Sequence, residues 1–145
     1  MTTYHFHHPE KMFTARTELL EIIAGQRLMT LAMVDGGRPY LVTMNYGFDA
    51  ARDCFRPLGV HGATAGKKIA IMTANPDVWG QVIEDRGYVT GKCDHAYRSV
   101  HFAGQVTFLE DEDEKRAALT LMTLAPAQTT GAVQVSANWS PTRSR

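Results

Sequence analysis

The segment best placed to do chemistry is Gly66-Lys67-Lys68, which opens a predicted helix running to about Ala74 and closed by Asn75-Pro76. A helix N-terminus carries unpaired N–H groups and a partial positive charge. Two lysines in its first turn are unfavourable there unless an anion sits nearby. A phosphate would satisfy the lysines and the free N–H groups together. Gly62 and Gly66 would let the backbone approach it closely. Taken alone, the same residues also fit two solvated lysines on an ordinary helix. The segment is no nucleotide P-loop, because the required glycine spacing and the Ser or Thr after the lysine are missing.

Other reactive residue types form no constellation. His5, His7 and His8 sit in an N-terminal stretch, and the extended alternation puts His5 and His7 on one face. A metal site normally needs three or four ligands with an ordered outer shell, so a frayed arm is the expectation and no metal is assigned. Cys93-Asp94-His95 has no metal-ligand spacing. His101 reads as a barrel-wall residue inside a strand, and Trp79 and Trp139 as core or interface residues. No nucleophile–base–acid triad stands out.

The elements that must position these groups are set by periodicity. Residues 1–15 read as an arm and 16–145 as one domain. A short helix is predicted over 16–24, with Leu19, Leu20, Ile22 and Ile23 on its apolar side and Gly25 as its stop. Leu28 to Val34 is a near-continuous apolar run, expected to be a strand covered on both faces. Asp35-Gly36-Gly37 predicts a hairpin turn into a strand from Pro39 to Tyr46. A third strand is expected within Cys54 to Val60, at an edge or bulged, because Pro57 removes a ladder donor. Strands come next at Val78–Ile83 and Tyr97–Leu109, with a polar loop between Arg86 and Ala96. Carboxylates at 110–114 open a last helix that Pro126 ends, and a final strand is expected at Val133–Ala137. Hairpin-linked strands with inserted helices predict an α+β barrel, mostly antiparallel and Greek-key-like.

Composition narrows the class. A chain of 145 residues suits one domain that needs no disulfide or metal to hold its core. Fifteen basic residues balance fifteen acidic ones, which argues against a nucleic-acid partner. Two cysteines make a disulfide framework unexpected. The first residues do not read as a secretory leader, and no apolar run approaches a membrane span. A cytoplasmic location with no membrane partner is the expectation.

Taken in order, several segments resemble the pyridoxamine 5'-phosphate oxidase-like, FMN-binding split-barrel superfamily, and within it the 5-nitroimidazole reductase branch. They are Asp35-Gly36-Gly37-Arg38-Pro39-Tyr40 with the strand to Tyr46, His61-Gly62-Ala63 with Gly66-Lys67-Lys68-Ile69, and Asn75-Pro76 before a strand. Tyr97-Arg98-Ser99-Val100 with Gly104, then the acidic stretch containing Glu114-Lys115, complete the likeness, which covers about Arg27 to Leu124. The resemblance implies a homodimer with one FMN at each of two sites between subunits. Thr43, Met44 and Asn45 match the strand whose backbone lies along the isoalloxazine edge. His61, Gly62 and Ala63 match the strand end beside the flavin, Lys67 and Lys68 the phosphate positions, and Arg98 and Ser99 a segment lining the cofactor site. His61 matches a histidine near the flavin, so it is the catalytic candidate, as proton donor, or else a hydrogen-bonding partner of the flavin or backbone. The sequence departs from the family between Phe55 and His61, where the stretch Arg56-Pro57-Leu58-Gly59-Val60 looks like an insertion of about three residues, with a proline, beside the expected site.

The resemblance therefore implies an FMN-dependent oxidoreductase acting on a small organic molecule, such as a nitroaromatic, a quinone-like compound or a B-vitamer. Pyridoxamine phosphate itself is the least expected, since that oxidase's substrate signatures are not found. The alternatives are a non-catalytic flavin- or haem-binding protein on the same fold, with a deazaflavin as a further cofactor option, and a cofactor-free dimer whose site the Pro57 insertion has closed. A dimer is expected on independent grounds, because the apolar strands carry more apolar surface than one small sheet covers.

Overall fold

A computed structural model describes residues 12–13, 15–57, 66–114, 116–117, 132–139 and 142–144. Its elements, in chain order, are β1 (Met12–Phe13), α1 (Arg16–Gly25), β2 (Leu28–Asp35), β3 (Arg38–Asp49), β4 (Cys54–Pro57), α2 (Lys67–Ala74), β5 (Asp77–Val89), β6 (Asp94–Leu109), β7 (Ala132–Trp139) and β8 (Thr142–Ser144). Adjacent strands run antiparallel in the order β1-β8-β6-β5-β2-β3-β4-β7. A further pairing of β6 with β7 closes β2, β3, β4, β7, β6 and β5 into a barrel. Closure satisfies edges that an open sheet would expose. The α+β split barrel expected from the sequence is the architecture observed.

The β2–β3 hairpin shows how local sequence sets register. Gly36 and Gly37 take φ of +55° and +83° between Asp35 and Arg38, the left-handed pair that a two-residue turn requires. From that turn the register runs Leu31↔Val42, Met29↔Met44 and onward to Leu28↔Asn45. Met29, Leu31 and Met33 therefore face inward and are buried. Leu28 and Val34 face outward and are exposed. The apolar run of β2 is thus covered by its own chain on one face, not on both as its composition suggests. β4 is not the edge strand expected from Pro57: it pairs with β3 on one side and with β7 through Cys54 and Phe55 on the other, and Pro57, its last described residue, lies opposite Tyr46 beyond the recorded β7 pairs.

Core side chains fill the barrel from β2, β3, β4, β5 and β6: Met29, Leu31, Met44, Phe55, Val82, Val100 and Phe102 are all buried. Phe102 stacks on Phe55 with ring centroids 4.2 Å apart and an interplanar angle of 14°. On its other side the ring lies over Gly80, where any Cβ would fall inside it. α1 closes the barrel end near Met44 and Tyr46, burying Leu19, Ile22 and Ile23. The Tyr46 hydroxyl donates to the Ile23 carbonyl at 2.6 Å. α2 lies beside β2 and buries Ile71 and Met72.

Two further expectations need correction. Residues 86–96 are not a loop throughout: only 90–93 form a turn, and β5 and β6 continue to it as a paired arm, Tyr88↔His95 and Val89↔Asp94, past an irregularity between Asp85 and Tyr88. Gly87 and Gly91 supply the positive φ values at the irregularity and the turn. The segment is polar because the arm has left the core, not because it has left the ladder. β3 likewise extends to Asp49, into what reads as a loop. Most of the acidic helix expected after residue 110 lies outside the described residues.

Candidate functional site

α2 begins as expected, with Gly66 at its N-cap, no side-chain cap and no acidic residue in its first turn. The Gly66 carbonyl accepts from the Ala70 N–H, so the helix is formed from its first turn. Lys67 is exposed and Lys68 partly buried. The Lys67 ammonium lies 3.4 Å from Asp35 Oδ2 and 4.8 Å from the centre of the Tyr40 ring. It is thus held over the β2–β3 hairpin by a carboxylate and a π-face.

Strand alternation sorts the other expected site residues. Thr43 points outward and its hydroxyl meets that of Thr30 at 3.3 Å. Asn45 is exposed beside Leu28, whereas the Met44 side chain is buried in the core. Ser99 is buried and lies opposite Ile83 on β5 and Arg143 on β8. Arg98, its neighbour, is on the other face of β6 with its guanidinium fully engaged. Nε and Nη2 donate to Glu84 at 2.6 and 2.8 Å, and Nη1 to Glu21 at 3.4 Å. This pairing holds the Glu84 carboxyl down at about 2, with the Arg98 hydrogen bond as the largest cause, and raises Arg98 above its ordinary range. Arg98 and Ser99 therefore share a strand but not a face. His61, Gly62 and Ala63 lie outside the described residues.

One network is invisible in the sequence, because it depends on register. β5 and β6 pair Gln81 with His101 and Trp79 with Ala103. The Trp79 indole N–H donates to His101 Nδ1 at 3.2 Å, and the Gln81 amide meets His101 Nε2 at 3.0 Å. Burial pushes His101 below the ordinary imidazole value. Only the alternation in Val78-Trp79-Gly80-Gln81-Val82 hints that Trp79 and Gln81 share a face.

That face is the outer surface of β3, β2, β5 and β6. It exposes Leu28, Val34, Leu41, Trp79 and Ile83, with Leu41 at 66% and Trp79 at 47%. The exposed apolar residues lie on either side of a central polar band of Thr30, Thr43, Gln81 and His101. A cavity of about 610 Å³ opens on this face between Ala32, Val34, Pro39, Trp79, Ala103 and Gln105. A smaller one of about 230 Å³ lies between α1 and the end of β3, beside Arg27 and Tyr46. Among the described residues no group of three or more His, Cys, Asp or Glu could hold a metal. No described helix is long and apolar enough to cross a membrane. Chemically, the arrangement offers an anion-compatible helix start and an apolar face with a few neutral hydrogen-bonding groups.

Comparison with known proteins gives this arrangement its context. No protein of curated function matches the chain. Among solved structures, a candidate 5-nitroimidazole antibiotic resistance protein from Bacteroides thetaiotaomicron superposes with a TM-score of 0.74 at 23% identity, covering 96% of this chain and 94% of its own. A FAD-binding protein from Mesorhizobium loti gives 0.70 at 20% identity, covering 92% and 96%. The flavocytochrome Anf3 from Azotobacter vinelandii gives 0.80 at 16% identity, covering 99% and 73%. At these identities the likeness is one of fold. The family model described as pyridoxamine 5'-phosphate oxidase matches residues 15–140, and the chain belongs to that family.

Proposed function

We propose that this protein binds FMN at a site shared by two copies of the chain and works as an oxidoreductase on a small organic molecule, a nitroaromatic being one candidate class. The observation that carries this is the start of α2, where Lys67 and Lys68 stand in an uncapped first turn with no acidic residue of its own, and the carboxylate paired with Lys67, Asp35, is an exposed one 3.4 Å away that a phosphate would have to displace. That donor set suits a phosphate monoester. The apolar outer face, carrying Thr43, Asn45 and Ser99, suits an aromatic ring system and a second copy covering it. The family match and the FAD-binding and flavocytochrome neighbours support a flavin.

Bound FMN would supply the electron transfer. The chain's part is to hold, orient and exclude water. Lys67 and Lys68 neutralise the phosphate. The backbone along Thr43, Met44 and Asn45, the β6 backbone at Ser99, and Gly62 and Ala63 would line the ring, while the Arg98 side chain, paired with Glu84 on the opposite face of β6, would hold that strand in place. His61 serves as the proton donor at the reacting atoms.

Lys67→Ala/Lys68→Ala tests the phosphate assignment. It is expected to weaken FMN binding by about tenfold to a hundredfold while leaving riboflavin, which has no phosphate, unchanged. Equal effects on the two ligands would remove the lysines from the site. The spectrum of the purified protein tests the cofactor. Release of FMN on denaturation is expected, and a Soret band, or no uptake of added FMN, would overturn the reading.

A further inference from the structure

We infer that His101 makes the pairing of two copies through the outer face pH-dependent, because the imidazole can sit in that face only as the neutral ring. The inference rests on the reading of this face as the surface where two copies meet. An indole N–H can only donate, so the Trp79 hydrogen bond at 3.2 Å requires a bare lone pair on His101 Nδ1. The ring hydrogen is then on Nε2, where Gln81 lies at 3.0 Å, and the amide must turn its oxygen to accept it. A second proton would go to Nδ1. It would break the Trp79 bond and set two donors against each other.

Nothing described around the ring welcomes a charge. Thr30, Ala32, Leu41 and Thr43 on the neighbouring strands do not titrate, nor do Trp79 and Gln81. Further along β5, Asp77 accepts from Gln105 at 2.9 Å, and Asp85 is paired with His95 at 2.6 Å. Across the other edge of β6, β8 sets Arg143, a cationic residue type, opposite Ser99. Among the described residues, no carboxylate is recorded bonded to His101. Half-burial in the single chain already lowers its proton affinity, and covering the face lowers it further. The proton therefore favours separate copies. Pairing is complete while the ring is neutral and is lost as the pH falls below the ordinary imidazole value, where the lowered proton affinity of His101 places its protonation. Each pair contains two such histidines, one from each copy, which steepens the dependence.

The test is a dilution series of the full chain by sedimentation velocity at pH 7.5 and pH 5.5. The dimer dissociation constant of the wild type is expected to rise about tenfold or more at pH 5.5. His101→Gln, neutral at both values, should hold a constant that barely moves. Nitrogen-15 NMR of the imidazole at pH 7.5 should show hydrogen on Nε2, a readout independent of how the variant folds. A pH-independent wild-type constant, a His101→Gln variant as pH-sensitive as the wild type, or hydrogen on Nδ1 would each overturn the inference. A chain monomeric at both pH values would overturn the shared-face reading itself.

Discussion

Replacing Glu84 by Gln should cost about 3 kcal/mol of stability at pH 7, and the loss should vanish in acid. Arg98 is 7% exposed and donates to both carboxylate oxygens of Glu84 in a bidentate pair at 2.6 and 2.8 Å. Its remaining partner, Glu21, is 3.4 Å away and largely exposed. Breaking a buried pair by removing one charge typically costs about 3–5 kcal/mol, because the other charge is left without compensation. A neutral amide that still accepts one hydrogen bond, with Glu21 in reserve, places this case at the lower end. The titration of Glu84 leads to the same magnitude. Its folded carboxyl is lowered from 4.5 to about 2, equivalent to about 3 kcal/mol of preference for the charged form. The sign is set by the depressed value. The stabilisation is complete above pH 4.5 and is lost as pH falls toward 2. Urea unfolding of wild type and variant between pH 7 and pH 2.5 would show a gap of about 3 kcal/mol that closes through this window. Adding Arg98→Met to the variant should recover part of the loss, since an apolar side chain needs no counter-charge. A gap below about 0.5 kcal/mol at neutral pH, or one that persists unchanged in acid, would refute the reasoning.

Other expectations are equally direct. Gly80→Ala should destabilise by about 3 kcal/mol in chemical denaturation, because its Cβ meets a Phe102 ring already backed by Phe55, and the cost should shrink in a Phe102→Leu background. Tyr46→Phe should cost about 1–2 kcal/mol by the same assay, since it strands the Ile23 carbonyl inside the protein. Asp35→Asn should tighten FMN binding about twofold to fivefold without changing riboflavin, because it frees Lys67 from an exposed ion pair; titration calorimetry with both ligands reads the difference.

Much of the fold can be read from local patterns. The Gly36-Gly37 turn, the strands beside it, α1 with its apolar side and the start of α2 at Lys67 are all dictated by residue types a few positions apart. Such features depend on backbone conformation and nearest neighbours, which a sequence states directly. The arm at 86–96 reads as a loop because a polar hairpin away from the core lacks the apolar alternation by which strands are recognised.

The site divides along the same line. Residue chemistry alone places a helix start at Gly66-Lys67-Lys68 and makes an anion there one of two readings, beside solvated lysines, because a helix start and its first side chains are local. Tertiary structure decided that Asp35 and Tyr40 reach Lys67 across the hairpin. It turned Arg98 away from Ser99 and bound it to Glu84. It also joined Trp79, Gln81 and His101, residues that stand solitary in the chain. Each of these is a matter of strand register and face. Register is settled by which strands pair and how the barrel closes, and a shift of one residue would have sent every one of these side chains to the opposite side.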